Sequence, residues 1–241
     1  MSIHTTELTA RQQIAEGTMA FHLHKPAGFQ FKPGQAIDLI LPVAGAAADS
    51  QEARHTFSIV SAPHEDALVL ATRMRDSAYK RVLGGLAIGT RVQVDGPFGA
   101  LTLHKAATRA AVLIAGGIGI TPFMSMLRQA SRQPTPQDLL LLYANRRPED
   151  TAFLSELQQL ARQNPRFRLV ATMTDMAHSA RPWDGETRAI DSALLQQVTQ
   201  DLAAPIFYVS GPPAMVEAMC TTLVAAGMGE DDVRSEGFYG Y

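Results

Sequence analysis

Cysteine is almost missing. Cys220 is the single one in 241 residues, so no internal disulfide can form. No cysteine-held iron–sulfur cluster can be built in this chain alone. Runs of one charge are missing too. The 21 Lys and Arg and the 23 Asp and Glu are scattered and leave a net charge of -2. That excludes the clustered basic footprint of a nucleic-acid binder. No stretch of about 18 apolar residues occurs, so no membrane-spanning helix is expected. The opening MSIHTTELTARQQ lacks the charged-then-apolar plan of a secretory signal. These absences point to a cytoplasmic protein. What is present in quantity is apolar residues, 46% of the chain. That is enough to fill one large core or two small ones.

The chain has two rhythms. Before about residue 104, short branched or alternating runs are separated by turn residues: Met19–His24, Ala36–Leu41, Thr56–Val60, Ala67–Thr72 and Arg91–Val94. Strands at that spacing predict an antiparallel barrel or sandwich. One helix is predicted near Ser77–Leu86, and Gly45–Ser50 is a small-residue loop. From about residue 105 the apolar runs Ala110–Ala115, Leu139–Tyr143, Phe167–Thr172 and Ile206–Ser210 alternate with helical stretches near 122–133, 150–163, 191–199 and 213–226. That alternation predicts a doubly wound parallel sheet. The expected fold is therefore two-domain, β at 1–104 followed by α/β at 105–241.

The run VLIAGGIGITPF, Val112–Phe123, ends a strand in glycines and opens a helix. Glycine lets backbone approach an anion, and the free N–H groups at a helix start attract it. Thr121 suits the N-cap and Pro122 the first helical position. A second loop of the same kind, Ser210-Gly211-Pro212-Pro213, follows the last core strand. In a doubly wound sheet both loops fall on the ligand-binding edge, so together they predict a dinucleotide site.

Six pieces in order carry a wider resemblance: Lys32-Pro33-Gly34-Gln35, Phe57–Ser61, Gly96-Pro97-Phe98-Gly99, Gly116–Pro122, Gly211-Pro212-Pro213 and Glu236-Gly237-Phe238. Over nearly its whole length the chain resembles the ferredoxin–NADP reductase superfamily. The resemblance implies a flavin, usually FAD, on the N-terminal barrel and NADPH or NADH on the C-terminal domain. A hydride passes to the flavin, and electrons pass on to an acceptor. The cofactors carry the chemistry and the protein supplies position and electrostatics. With one cysteine, the acceptor is expected on a separate chain of ferredoxin or flavodoxin type, and the protein itself is expected to be a monomer. Two other readings share the same residues. One is an NAD(P)H:flavin reductase that holds flavin loosely. The other is an electron-transfer subunit of a larger redox complex.

Carried over by motif, Phe57 lies against the flavin ring and Ser58 reaches toward its reacting nitrogen. The family's phosphate-binding arginine falls at His55, with Arg54 one place earlier. Either of these meets the flavin phosphate, or Arg73 or Arg75 takes that role. The Arg73-Met74-Arg75-Asp76-Ser77 segment borders the flavin ribityl and pyrophosphate. Gly116, Gly117, Gly119 and Thr121 line the nicotinamide dinucleotide's pyrophosphate. Arg146 or Arg147 meets a 2′-phosphate, which hints at NADPH, and Thr172–Asp175 borders the same pocket. Ser210 stands where many relatives have cysteine, beside Gly211 and Pro212 at the nicotinamide. Cys220, further on, is expected to be an ordinary buried residue. Phe238 is expected to cover the flavin, with Tyr241 as the alternative.

Overall fold

A computed structural model describes residues 2–43, 47, 48, 50 and 52–238. The chain begins with β1 (Ser2–Ala15), β2 (Thr18–His24), β3 (Ala36–Ile40), β4 (Arg54–Ser58) and β5 (Ala67–Arg73). Then come α1 (Ala78–Gly85) and β6 (Arg91–Phe98). The six strands form one antiparallel sheet in the order β4-β3-β6-β1-β2-β5. Its two edges meet just past β4, where Ile59 bridges Leu70 and the Val60 N–H donates to the Val69 carbonyl at 2.8 Å. The sheet is thus the expected barrel. Leu8, Phe21, Leu23, Ile37, Leu39, Leu68 and Leu70 fill it. α1 plugs it with Tyr79, whose hydroxyl donates to the Leu39 carbonyl at 2.8 Å. The sequence reading missed β1. Most of its side chains are polar and exposed, so it carries no run of buried apolar positions.

The second half contains β7 (Ala111–Gly116), α2 (Thr121–Arg132), β8 (Leu139–Asn145), α3 (Leu154–Gln163), β9 (Phe167–Met173), α4 (Ser192–Thr199), β10 (Ile206–Gly211), α5 (Pro213–Ala225) and β11 (Val233–Gly237). All five strands are parallel, in the order β11-β10-β7-β8-β9. Alternation sends Leu113, Ala115, Leu141 and Tyr143 to one face. It sends Val112, Ile114, Leu140 and Leu142 to the other. Hence β7 and β8 read as continuous apolar runs. α3 starts four residues later than expected, because Pro148–Asp150 makes a separate 3₁₀ turn and Phe153 takes a left-handed φ of 61°.

The barrel and the parallel sheet share a core. Val60, Val69 and Ala71 of the barrel join Ile118, Phe123 and Tyr143 in one cluster. Ser125 donates to the Ser61 carbonyl across the boundary at 2.7 Å. The chain crosses between them through residues 99–110. There His104 is buried, with Nδ1 2.9 Å from the Tyr208 hydroxyl and Nε2 3.1 Å from the Arg109 carbonyl. A carbonyl only accepts, so Nε2 carries the proton and Nδ1 accepts from Tyr208. Burial holds the His104 pKa below 6.5. Below about pH 6.5 the unfolded chain therefore takes up a proton that the folded chain refuses, and stability falls with pH. The urea midpoint is expected to drop between about pH 7.5 and pH 5.5. A His104→Gln variant should show a smaller drop; an equal drop would put the effect elsewhere.

Candidate active site: a cleft between barrel and parallel sheet

Strand order reverses between β7 and β10. β8 and β9 extend the sheet on one side of β7, and β10 and β11 on the other. The carboxyl ends of these two strands are Gly116 and Gly211. A crevice at such a switch point is where open α/β sheets bind ligands. Here it is a cleft of about 370 Å³. Its floor is Gly116, Gly117 and Gly211, and Arg73 and Arg75 reach it from the barrel. Asn145, Arg146 and Thr174 line it from the ends of β8 and β9, and Phe238 from beyond β11.

Each glycine leaves room for something different. A Cβ on Gly116 would run into the Met215 sulfur and come within 3.1 Å of Pro212. Gly117 has φ +52°, and a Cβ there would stand 3.0 Å from Arg73 Nη2. Gly119 faces away from the cleft. A Cβ on it would lie 2.6 Å from Gly211 Cα and within the Ser210 backbone. Gly119 is thus a packing glycine that seats the first loop on β10.

Two hydroxyls, Ser58 Oγ on β4 and Ser210 Oγ beside Gly211, are buried with no hydrogen-bond partner. A buried unsatisfied polar group is costly, on the order of 1–3 kcal/mol. Such a group next to a cleft residue, as Ser210 is to Gly211, suits a polar ligand. Glu236 pairs with Ser210 in the β10–β11 register, and burial raises its pKa.

The family model for the oxidoreductase NAD-binding domain matches residues 113–221. That span runs from β7 into α5 and carries both glycine loops. Over 84% of its length, the chain is 29% identical to ferredoxin–NADP reductase B of Sorangium cellulosum, covering 78% of that protein. It is 27% identical to the reductase component of propane 2-monooxygenase from Rhodococcus jostii, over 89% of this chain and 57% of that one. The crystal structure of a ferredoxin NADP+ reductase from Neisseria gonorrhoeae, with bound FAD and NADP, superposes with a TM-score of 0.81 at 21% identity. It covers 98% of this chain and 99% of its own. Over most of its length the chain is thus similar to reductases of the ferredoxin–NADP reductase kind and to the reductase components of oxygenases. It spans about three fifths of the length of the first oxygenase reductase components that it matches.

Of the residues singled out from the sequence, Arg73, Arg75, Gly116, Gly117, Arg146, Gly211, Pro212 and Phe238 line the cleft. Phe238 is 9% exposed, and its N–H donates to the Gly211 carbonyl at 2.9 Å. Tyr241 lies outside the described residues.

Other expected residues are placed elsewhere. Thr121 does not cap α2. A 3₁₀ turn over Gly117–Ile120 precedes the helix, and the Thr121 hydroxyl donates to the Ile118 carbonyl at 3.1 Å. That extra turn leaves Thr121 and Pro122 buried behind the loop. The leading N–H groups come from 117–119 instead. Met74 packs on the barrel core. The Ser77 hydroxyl caps α1, accepting from the Lys80 N–H at 3.2 Å. Arg147 is outside the cleft wall, held by Asp150 at 2.8 Å and by Glu16 at 3.1 Å.

The β3–β4 register sorts the flavin motif by face. His55 and Phe57 pair with Leu39 and Ile37 and point into the barrel. Phe57 is 3% exposed there and shows no open ring face, and His55 stacks on Tyr79 with ring centroids 4.1 Å apart. Arg54, Thr56 and Ser58 point outward. Arg54 is clamped by Asp38 at 2.8 Å and Asp95 at 2.5 Å, so its charge is already met.

Asn145 and Met215 were not singled out from the sequence. Asn145 is the last residue of β8, and its place at a strand's carboxyl end was the available signal. Met215 lies two residues into α5, where nothing but contact with Gly116 marks it.

Proposed function

We propose that the protein is an NAD(P)H-dependent flavoprotein reductase, taking a hydride from a nicotinamide dinucleotide in the cleft and passing electrons through a barrel-bound flavin to a separate acceptor. The observation that carries this reading is the make-up of the cleft. Three glycines with no side chain sit at the β7/β10 switch point, opposite two barrel arginines. Neither Arg73 nor Arg75 has a salt bridge or side-chain hydrogen bond among the described residues. Uncovered backbone N–H groups and free guanidinium groups suit a pyrophosphate.

The residues fit a nicotinamide dinucleotide, and Ser58 fits the polar edge of a flavin. When bound, the flavin supplies conversion of a two-electron hydride into single electrons. The chain's part is to bind and orient. Gly116, Gly117 and Gly211 let a dinucleotide lie against backbone. Ser58 and Ser210 offer buried hydroxyls that lack other partners. Phe238 shields the cleft from water. The flavin phosphate is less well served, because Arg54 is neutralised and His55 is turned inward. That favours, as a second reading, a reductase that exchanges its flavin.

An anaerobic spectrum of the purified protein tests both. Flavin bands retained through gel filtration and bleached by NADH or NADPH support the reductase with bound flavin. Activity that needs added flavin supports the second reading. A protein that neither holds flavin nor reduces it overturns both. The acceptor is proposed to be a ferredoxin- or flavodoxin-type carrier or the oxygenase of a multicomponent system, because the relatives include a ferredoxin–NADP reductase and the reductase components of oxygenases.

The cofactor's adenosine end is expected to favour NADH. Arg146, the one arginine at the β8 end that lines the cleft, is held by Asp175 at 2.5 Å, and Asp175 also meets His178 at 2.6 Å. The His178 and Arg146 hydrogen bonds keep Asp175 well below the usual carboxylate range, so it stays charged. A carboxylate there suits a ribose hydroxyl and repels a 2′-phosphate. Asp175→Asn is expected to shift the ratio of NADPH to NADH affinity toward NADPH by about tenfold. An unchanged ratio sinks this assignment.

A further inference from the structure

We infer that Glu149, which does not itself line the cleft, is a positioning residue for it: its side chain and its carbonyl fix the two walls of the adenosine end. This rests on the reading above that this end takes the cofactor's adenosine and that Asp175 meets its ribose.

The wall that carries Asp175 has little else to hold it. After β9 the chain makes one 3₁₀ turn, Met176–His178, and none of its residues is buried. Such a loop has no apolar anchor, so its hydrogen bonds decide where it sits. At the front, the Asp175 N–H donates to the Arg146 carbonyl at 2.8 Å. At the back stands Glu149. Its Oε1 accepts from the Ala180 N–H at 2.7 Å and from the Arg181 N–H at 3.1 Å. Its Oε2 lies 2.9 Å from the Ser179 hydroxyl. Two successive N–H groups aimed at one oxygen are an anion-binding arrangement. The chain fills this one with its own carboxylate. Desolvation alone would raise the Glu149 pKa. The hydrogen bonds from its own N–H, Ser179, Ala180 and Arg181 outweigh that and hold it below the usual carboxylate range, so the group stays charged at neutral pH.

The same residue holds the opposite wall through its backbone. Its carbonyl accepts from the Glu16 N–H at 2.8 Å, in the turn between β1 and β2. The neighbouring Gly17 carbonyl accepts from the Met74 N–H at 2.7 Å. Met74 lies between Arg73 and Arg75, which line the cleft from the barrel side. The Pro148–Asp150 turn is therefore a post, with the barrel tied to its backbone and the β9 loop to its side chain. Arg147 reinforces both ties, reaching Glu16 at 3.1 Å and the His178 carbonyl at 3.3 Å. Without the Glu149 carboxylate, Asp175 keeps Arg146 but loses the support that fixes where it points. Residues 180 and 181 are exposed, so water replaces the lost acceptor and the fold survives.

The test is steady-state oxidation of NADH and NADPH with ferricyanide as acceptor, and calorimetric binding of ADP-ribose, on wild type, Glu149→Ala and Glu149→Gln. Flavin content and unfolding temperature are read on the same samples. Glu149→Ala is expected to weaken ADP-ribose and to raise the KM for NADH, each by roughly 3- to 30-fold. The kcat and the flavin content should hold, because the nicotinamide end is untouched, and the preference for NADH over NADPH should narrow. Glu149→Gln keeps an oxygen for the two N–H groups and should recover most of the affinity. Wild-type ADP-ribose affinity and KM in Glu149→Ala overturn the inference. So does a fall in kcat, flavin content and affinity together that Glu149→Gln does not relieve, which would make Glu149 a general support of the fold. A wild type that binds neither ADP-ribose nor NADH removes the proposed function itself, and this inference with it.

Discussion

Gly119→Ala is expected to cost about 3 kcal/mol or more of stability, the upper end for overpacking a filled core. The added methyl would lie 2.5 Å from the Ser210 carbonyl carbon and 2.6 Å from Gly211 Cα. Both are backbone atoms of β10, a strand hydrogen-bonded to β7 on one side and β11 on the other. No flexible side chain can swing away. Relief requires the 117–120 turn to lift off the sheet, and Ile118, Ile120 and Phe123 leave the core with it. The urea midpoint and the unfolding temperature are the direct measurements, taken without nucleotide. A near-wild-type midpoint would mean that the turn and the strand end can separate cheaply, and that Gly119 is not a packing glycine. Gly28→Ala is the control, since a Cβ at Gly28 meets nothing within 4 Å and only the φ of +75° is strained. It should cost about 1 kcal/mol.

Gly119 also shows where reading the sequence stops. The glycine loop, the strand before it and the helix after it were legible, because buried parallel strands read as apolar runs and glycines punctuate them. Which glycine touches ligand and which touches protein was not. That depends on β10, some 90 residues away in the chain, being the neighbour of β7. The same holds for the arginines. Arg54, Arg73, Arg146 and Arg147 look alike in a sequence, yet three are bound by carboxylates and one is not. β1 was invisible because its partners β2 and β6 supply most of the buried surface. In the Arg54–Ser58 strand, the motif named the residues, while the register with β3 decided their faces. A shift of one residue there would put Phe57 in place of Ser58 on the outer face.

Ser58→Ala should therefore move two observables in opposite directions. The Ser58 side chain points outward from β4, is 5% exposed, and has an Oγ without a hydrogen-bond partner. In the flavin-free protein that hydroxyl is a burden. Its removal should leave stability unchanged or raise it by up to about 1 kcal/mol, since an unsatisfied buried group is lost and a methyl-sized volume remains. In the flavin-loaded protein the hydroxyl is expected to gain its partner at the reacting nitrogen. Its loss should slow flavin reduction by NADH about 100-fold, the scale for removing one preorganised hydrogen bond at a reacting centre. Stopped-flow bleaching of the flavin bands reads the second effect, and urea unfolding of the flavin-free protein reads the first. A fall in both would make Ser58 a structural residue whose loss loosens the barrel. Unchanged bleaching would remove it from the reaction and leave Ser210, the other buried hydroxyl without a partner, as the group to vary next.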